Sequence, residues 1–369
     1  KNTHLVFHHD SIHQLNFRYP DKKRGLKPFI APSLLIATGT VLHVSGNLQE
    51  NIQDWIQDKT DYSGNVEDYI RYAPGVAVYG LNALGIKGKN NFGIFLDSAP
   101  DRWGRLLMRR RGAWQAKLES REEKTLFESD YLLGVFDGHR MGGLRFKLEQ
   151  DGAFLNNHKK MATPPWTSLR ELEHASLQLE RDDAMNDPEY AQWLSVLIDP
   201  GSSLGGARPK ASVIDDIGHL WIAKFPSSRD EKNAGAWEMV LHELAKACGI
   251  HVSEARLQKI SGKHHTFLSK RFDRTDDQKR IHFASAMTLL GLQDGADHVE
   301  GVGYLDLVGF IMQHSPEAKE DLEQLWRRMA FNILVSNTDD HLRNHGFLLA
   351  PLGWRLSPAY DMNPNEMGT

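Results

Sequence analysis

Three polar residues near the end of the chain have the types and spacing that phosphoryl transfer requires: Asp339, Asn344 and Asp361. Asp339 precedes Asn344 by the length of one loop, so both side chains can face one site. A carboxylate and an amide oxygen are ligands that Mg²⁺ takes alongside nucleotide phosphates, which predicts Asn344 and Asp361 as metal ligands. Asp339, left free of metal, can orient or deprotonate a hydroxyl nucleophile. The pattern therefore predicts a phosphoryl-transfer site with Asp339 as its base.

The residues between Asn344 and Asp361 predict how the two meet. Residues 346–350 and 354–356 are short apolar runs separated by a Pro/Gly turn, which is typical of a β-hairpin. A hairpin returns the chain to its start, so Asp361 is expected beside Asn344. The alternative is that Asp339 and Asn344 only cap a helix and a turn. The hairpin and the second aspartate favour the catalytic interpretation.

A Gly- and Ser-rich stretch, residues 201–210, could approach phosphates closely through its backbone N–H groups. Lys210 and Lys224 would add positive charge. Gly201 and Gly206 have the spacing of a P-loop, but Ala207 stands where its lysine should be, and a strand follows instead of a helix. This excludes a P-loop NTPase. The pattern instead predicts a Gly-rich β-hairpin over the phosphates with a lysine on the next strand, as in protein kinases.

A predicted helix follows, with an apolar face from Trp237 to Cys248 and a C-terminal cap at Gly249. Glu238 lies near its N-terminal end and could pair with Lys224. The alternative is a solvated glutamate on the helix surface.

Composition limits the class of protein. The chain has 369 residues, a formal net charge of −4 and one cysteine, Cys248. Its length predicts two or three domains, and its charge argues against a protein devoted to nucleic-acid binding. A single cysteine excludes a disulfide framework and favours a reducing cytoplasm. No apolar run is long enough to span a membrane. The chain starts with Lys and stops eight residues after Asp361, so we expect both ends to be incomplete.

Basic residues cluster after Pro100, including Arg109, Arg110 and Arg111 on a predicted helix. A solvated helix face is the ordinary explanation, and docking of an acidic partner is the alternative.

The distribution of elements predicts an α+β, protein-kinase-like bilobal fold, with a β-rich N lobe carrying the Gly-rich hairpin and a helical C lobe. A small α/β N-terminal subdomain precedes it. Residues 1–152 are assigned to that subdomain, 165–274 to the N lobe and 275–369 to the C lobe. Residues 266–274 are predicted as a strand that lines an adenine pocket.

Five motifs together resemble the HipA family of serine/threonine kinase toxins from toxin–antitoxin modules. They are Gly205–Lys210, Lys224–Pro226, Lys270–Arg274, Thr338–Asn344 and Ser357–Asp361. The similarity covers nearly the whole chain, because residues 92–148 also resemble the N-terminal subdomain of the family.

The resemblance implies a kinase using ATP and Mg²⁺, whose protein targets include aminoacyl-tRNA synthetases. It implies a HipB-like antitoxin with a helix-turn-helix, and operator DNA contacted through that antitoxin. Asp339 and Lys224 would be catalytic, and Ser203, or else Ser202, would carry an inhibitory autophosphorylation. The residues implied to contact the nucleotide or its metal are Ser203, Gly205, Gly206, Ala207, Lys210, Lys224, Phe272, His341, Asn344 and Asp361.

Three other interpretations stay open at this point. A small-molecule phosphotransferase of similar fold would use the same groups. A pseudokinase would only bind an antitoxin and DNA, although the complete set of Lys224, Asp339, Asn344 and Asp361 argues against it. His341 and His345 have the spacing of a zinc-binding helix, but the glutamate of a metalloprotease motif is missing.

Overall fold

The computed structural model describes residues 97–148, 151–157, 163–201, 203–204, 206–292 and 301–364. These residues belong to one compact unit. Most of the predicted N-terminal subdomain, residues 1–96, lies outside the described residues, and so do Ser202 and Gly205.

Helices precede the first sheet. In chain order they are α1 (Arg102–Leu118), α2 (Glu128–Gly134), α3 (Leu169–Leu179) and α4 (Tyr190–Gly201). Short 3₁₀ turns lie at Asp137–His139, Trp166–Ser168 and Ala184–Asn186. Helices α1, α3 and α4 pack together and against the sheet because each turns an apolar face inward. Their shared core holds Trp103, Leu107, Leu172, Leu197, Trp221 and Leu268.

An antiparallel sheet forms the predicted N lobe. Its strands are β1 (Lys210–Ile214), β2 (Leu220–Lys224), β3 (Ala255–Gln258) and β4 (Thr266–Lys270), and α5 (Ala234–Ala247) connects β2 to β3. The spatial order is β1-β2-β4-β3. Lys210 lies opposite Lys224, and Lys224 lies opposite Phe267. The register therefore places two lysines side by side at one end of the sheet.

The remaining elements form the predicted C lobe. They are β5 (Phe283–Ser285), α6 (Ala286–Leu289), α7 (Tyr304–His314), α8 (Ala318–Leu334), β6 (Gly346–Ala350) and β7 (Gly353–Leu356). Strands β6 and β7 pair from Phe347↔Leu356 to Ala350↔Gly353, so the predicted hairpin is confirmed. Its apolar face packs on the helices through Phe347, which lies in one cluster with Leu307, Ile311 and Leu325.

The Gly/Ser-rich stretch differs from its prediction in one respect. It is not itself a β-hairpin but the connection from the end of α4 at Gly201 to the start of β1 at Lys210. The N-lobe hairpin lies after it, with β1 and β2 joined by a turn at Asp215–Gly218. The reason is that the buried apolar face of α4 extends the helix to Gly201, where a Cβ would come within 2.6 Å of Leu107.

The three consecutive arginines of α1 do not form one solvated patch. Arg109 is exposed, whereas Arg110 donates to the carbonyl of Leu179. Burial lowers the pKa of Arg111, and the charge of Asp199 opposes that shift. Two of the three therefore pack against α3 and α4, and only Arg109 remains for the docking role considered above.

His139 lies at the centre of a buried polar region next to α4. It is fully buried, with Nδ1 3.2 Å from the carbonyl oxygen of Asp199 and Nε2 2.7 Å from Thr163 Oγ1. Burial, together with the positive charges of nearby arginines, lowers the pKa of His139 to about 3. The imidazole is therefore neutral in the folded protein across the ordinary pH range.

This histidine should make the fold sensitive to mild acid. An unfolded histidine takes up a proton near pH 6.5, whereas folded His139 does not, so the unfolded state is favoured as pH falls below 6.5. We expect the loss to approach about 1.4 kcal/mol per pH unit. In His139→Gln, which keeps a donor and an acceptor, this part of the pH dependence should vanish. Urea unfolding at pH 7.5 and pH 5.5 measures the free energy of unfolding of both proteins. An equal loss between the two pH values in the wild type and in His139→Gln would contradict a neutral buried His139.

Among the described helices, none is both long and apolar enough to cross a lipid bilayer.

Candidate active site

Lys224, the last residue of β2, is bound by two carboxylates. Its Nζ lies 2.5 Å from Glu238 Oε1 on α5, and it also donates to Asp361 beyond the C-lobe hairpin. The side chains of Lys224 and Glu238 are 15% and 13% exposed. The predicted Lys224–Glu238 pair is confirmed. The second partner, Asp361, was assigned to metal alone by the sequence and joins the two lobes through this lysine.

The charged groups of this cluster shift one another's pKa values. The positive charge of Lys224 lowers the pKa of Asp361 to about 2, with Lys210 contributing in the same direction. Burial alone would lower the pKa of Lys224, but Asp361 and Glu238 raise it above its usual range. Burial and the neighbouring Lys224 lower the pKa of Lys210 to about 8. At neutral pH the site therefore combines an ionised Asp361 with a charged Lys224. The pKa of Lys210 lies nearer to neutrality than that of an ordinary lysine.

The predicted catalytic loop follows α8 and ends in a 3₁₀ turn at Leu342–Asn344. Asn344 Nδ2 donates to the backbone carbonyl of Asp339 at 2.7 Å, which closes the loop. The carboxylate of Asp339 is 86% exposed and lies 3.8 Å from His341 Nε2. It therefore points to solvent, where a hydroxyl substrate could reach it.

The hairpin returns the chain to this loop, as predicted. Tyr360, the neighbour of Asp361, donates its hydroxyl to the carbonyl of Arg343 at 2.6 Å. Asn344 and residues 359, 360 and 362 line the same small cavity. Residues 359, 360 and 362 therefore lie beside the end of the catalytic loop. The position of Asp361 next to Asn344 stays a prediction.

Asp340 stabilises the predicted catalytic loop through hydrogen bonds with His345 and Tyr304, a role that the sequence did not predict. His345 Nε2 lies 2.9 Å from Asp340 Oδ1, and the hydroxyl of Tyr304 on α7 donates to the same carboxylate. Burial opposes ionisation of Asp340, but the hydrogen bond with His345 lowers its pKa. The Nε2 atom of His345 is therefore engaged by Asp340, and among the described residues no group of three potential metal ligands includes His341 and His345. The sequence feature that could have indicated this role of Asp340 is its position directly after the predicted base, Asp339.

The Gly/Ser-rich stretch lies at the end of the sheet that carries Lys210. Gly206 has φ +74°, and a Cβ there would come within 2.6 Å of Lys210 Nζ, so this position requires glycine. Ala207 is exposed, and Arg208 Nη1 binds Asp230 at 2.7 Å. The hydroxyl of Ser203 is buried, and no hydrogen-bond partner for it lies among the described residues. Phosphorylation of Ser203 therefore requires this part of the chain to move outwards first.

Residues Lys270–Arg274 serve the fold more than the prediction assumed. Strand β4 ends at Lys270, whereas the prediction extended it to Arg274. The cause is Asp273, which is fully buried and accepts hydrogen bonds from Arg271 at 2.8 and 2.6 Å and from Arg274 at 2.6 Å. The N–H of Gly142 also donates to Asp273 at 2.8 Å. A buried charge cluster therefore fixes this segment together with backbone hydrogen bonds from Arg271 to Leu220 and from Ile281 to Asp273.

Unlike its neighbours Arg271 and Asp273, Phe272 lies in an aromatic cluster with Phe283 and Tyr360. Its ring lies 5.9 Å from that of Phe283 and 5.6 Å from that of Tyr360, measured between centroids. Its predicted contact with the nucleotide stays a prediction, as does that of His341.

Comparisons with known proteins match this arrangement. The family model described as the HipA-like C-terminal domain covers residues 202–368. Residues 202–368 of this chain are therefore similar to the HipA-like C-terminal domain. The serine/threonine-protein kinase toxin HipA of Shewanella oneidensis is 27% identical over 271 residues, which are 64% of this chain and 60% of that protein. A relative from Haemophilus influenzae is 28% identical over 179 residues, 44% of this chain and 52% of its own length. The chain therefore spans about half to three fifths of these curated relatives.

The solved complex of Shewanella oneidensis HipA with HipB and its operator DNA has a TM-score of 0.52 to this chain at 20% identity. The match covers 74% of this chain and 64% of that one. At this identity the likeness concerns the fold alone, and the predicted α+β, kinase-like fold is confirmed.

The region that matches the HipA-like family model contains oxygen donors of the kind that a nucleotide-bound Mg²⁺ takes. In the part of the chain that the structure describes, no group of three His, Cys, Asp or Glu side chains could hold a metal unaided. Mg²⁺ is usually bound through one or two carboxylates together with phosphate oxygens. The ionised Asp361 and the amide oxygen of Asn344, whose nitrogen is engaged by Asp339, fit that requirement. Both assignments stay predictions.

Glu238 should matter for nucleotide affinity rather than for stability alone. In Glu238→Gln, Lys224 loses one of two charged partners, so its ammonium group should be drawn towards Asp361 and away from the phosphates. We expect KM for ATP to rise about tenfold, the typical value of one charge-assisted hydrogen bond. Glu243→Gln on the same helix is the control because its side chain is 53% exposed. Equal KM values for the two variants would refute this role.

Proposed function

We propose that this chain is an ATP-dependent serine/threonine protein kinase that acts as the toxin of a HipA/HipB-type toxin–antitoxin system. The observation that carries the proposal is Lys224, bound by Glu238 on α5 and by Asp361 after the C-lobe hairpin. A strand lysine held by a helix glutamate next to a metal-binding aspartate is the arrangement by which protein kinases hold ATP phosphates.

Each residue has a defined task in this proposal. Lys224 binds the phosphates, and Glu238 keeps its ammonium group in place. Lys210 and the backbone around Gly206 face the nucleotide from the end of the sheet. Asp339 accepts a hydrogen bond from the substrate hydroxyl, orients its oxygen and takes up its proton as the phosphoryl group is transferred. Mg²⁺, held by Asn344 and Asp361, would neutralise phosphate charge.

The substrate, the compartment, the partners and the regulation that we propose are those that the relatives suggest. The substrate would be a translation component such as an aminoacyl-tRNA synthetase, and the protein would act in the cytoplasm. A HipB-like antitoxin would bind the toxin and connect it to operator DNA, as the Shewanella oneidensis complex contains these three components. Autophosphorylation of Ser203, or of Ser202, would switch the kinase off. Residues 1–152, 165–274 and 275–369 would correspond to the N-terminal subdomain, the N lobe and the C lobe.

Calorimetric titration with ATP in the presence of Mg²⁺ or EDTA tests the nucleotide site. We expect binding that depends on Mg²⁺ and that weakens at least tenfold in Asp361→Asn, because the ionised carboxylate is lost. Asp183→Asn, a surface aspartate paired with Arg181, is the control. Absence of ATP binding in the wild-type protein, or equal affinity in all three proteins, would overturn the proposal.

A further inference from the structure

Residues 97–103 lead into α1 and include its first two residues. They lie outside the region matched by the HipA-like family model and yet contact the predicted active site. We call these residues the bridging segment. Asp101 is the residue that precedes α1, where an aspartate ordinarily caps its own helix. Its side chain makes no such capping bond. Instead, Asp101 Oδ2 accepts from the N–H of Gly206 at 3.3 Å and lies 3.7 Å from Arg343 Nη1.

Trp103 makes the stronger contacts. Its backbone N–H, one of those a helix start leaves without an intrahelical partner, donates to the carbonyl of Gly206 at 3.0 Å. Its indole Nε1 donates to the carbonyl of Lys210 at 2.8 Å, and the side chain is only 2% exposed. A Cβ on Gly201 would lie 3.1 Å from the same Nε1. One tryptophan thus contacts the beginning, the middle and the end of the 201–210 stretch.

The other end of the bridging segment is attached to the C lobe. Asp97 accepts from the N–H and from the hydroxyl of Ser285, both at 2.7 Å. Burial raises the pKa of Asp97, and the hydrogen bonds of Ser285 and the charge of Arg343 oppose that shift. Seven consecutive residues therefore bind the Gly/Ser-rich stretch on one side and the strand β5 and catalytic loop on the other.

We infer that Trp103 and Asp101 are positioning residues, which hold Gly206 and Lys210 in place for the nucleotide phosphates and tie them to the catalytic loop. This inference rests on the proposed function. It adds that ATP affinity depends on residues about a hundred positions before Lys210, in a part of the chain with no predicted chemical role. Neither side chain touches the reacting atoms, so both act through the backbone that they hold.

Trp103→Phe tests the inference because it removes the indole donor and keeps an aromatic ring. Trp193→Phe is the matched control: Trp193 is 6% exposed in the same hydrophobic core but lies on α4. Two properties are measured, amide hydrogen exchange of peptides covering residues 206–210 without nucleotide, and Kd for Mg-ATP. In Trp103→Phe we expect exchange to quicken and Kd to rise, each by about tenfold, as for one lost hydrogen bond. Trp193→Phe should change neither beyond its global destabilisation, followed by urea unfolding.

Asp101→Asn removes the negative charge of this side chain and keeps its size, so it tests the attraction between Asp101 and Arg343 by itself. It should raise Kd for Mg-ATP severalfold through the lost attraction to Arg343, with exchange at residues 206–210 less affected than in Trp103→Phe. Equal exchange in Trp103→Phe and Trp193→Phe would overturn the inference, even if the wild-type protein binds ATP well. Faster exchange with an unchanged Kd would also overturn it. A wild-type protein that binds no ATP would refute the proposed function, while the exchange comparison would still decide whether Trp103 holds this backbone.

Discussion

Replacing Asp339 by Asn should reduce phosphoryl transfer by about 10²- to 10⁴-fold, the usual contribution of a positioned general base. The carboxylate of Asp339 is 86% exposed. Neither of the two ion pairs of Lys224, with Glu238 and with Asp361, includes it. Because the contacts of Lys224 stay intact in this variant, the free energy of ATP binding should not change. We therefore expect Kd for Mg-ATP to remain within about twofold of wild type. Initial rates with saturating ATP, together with calorimetry, measure both quantities.

Asp361→Asn provides the contrast, because it should weaken both ATP binding and transfer. Asp361 is bound to Lys224, and its charge helps to set that of the lysine. If both variants lost ATP affinity equally, Asp339 would belong to the nucleotide site, and its assignment as base would be wrong.

Replacing Asp273 by Asn should destabilise the fold by about 3 to 5 kcal/mol, the usual cost of removing one partner from a buried ion pair. The side chains of Arg271, Asp273 and Arg274 are 1%, 0% and 4% exposed. Burial opposes ionisation of Asp273, yet the two arginines hold its pKa below the usual range. Without that carboxylate, the guanidinium groups of Arg271 and Arg274 stay buried and keep backbone carbonyls and the sulfur of Met141 as partners.

Urea unfolding at pH 7 measures this cost. Asp276→Asn is the control, since Asp276 lies three residues further along and is 88% exposed. We expect that substitution to change the free energy of unfolding by less than about 0.5 kcal/mol. A loss below about 1 kcal/mol in Asp273→Asn would mean that this charge cluster does not organise the segment.

Local sequence patterns predicted the parts of the site that are formed by neighbouring residues. The apolar runs around Pro351 and Gly353 predicted the hairpin, which brings Tyr360 back to the carbonyl of Arg343. The position of Asp361 beside Asn344 stays a prediction. The position of Glu238 on an amphipathic helix, soon after the strand of Lys224, predicted their ion pair. In each case short-range periodicity and turn residues carried the information.

Contacts between distant positions could not be predicted in this way. Lys224 and Asp361 are 137 positions apart, Gly142 and Asp273 are 131 apart, and Trp103 and Lys210 are 107 apart. Periodicity identifies which face of an element is buried but not which polar group it meets. The Gly/Ser-rich stretch was predicted as a hairpin because glycine and serine mark any tight connection, including one from a helix to a strand.

Intact mass after incubation with Mg-ATP, followed by mapping of the modified residue, decides whether this chain is a kinase. We expect the wild-type protein to gain the mass of one phosphoryl group, located on Ser203 or Ser202, and Asp339→Asn to gain none. The buried hydroxyl of Ser203 further predicts slow modification, since this residue must first become accessible. A wild-type protein that stays unmodified and also transfers no phosphoryl group to an added protein substrate, although folded and bound to ATP, would contradict the assignment as a kinase.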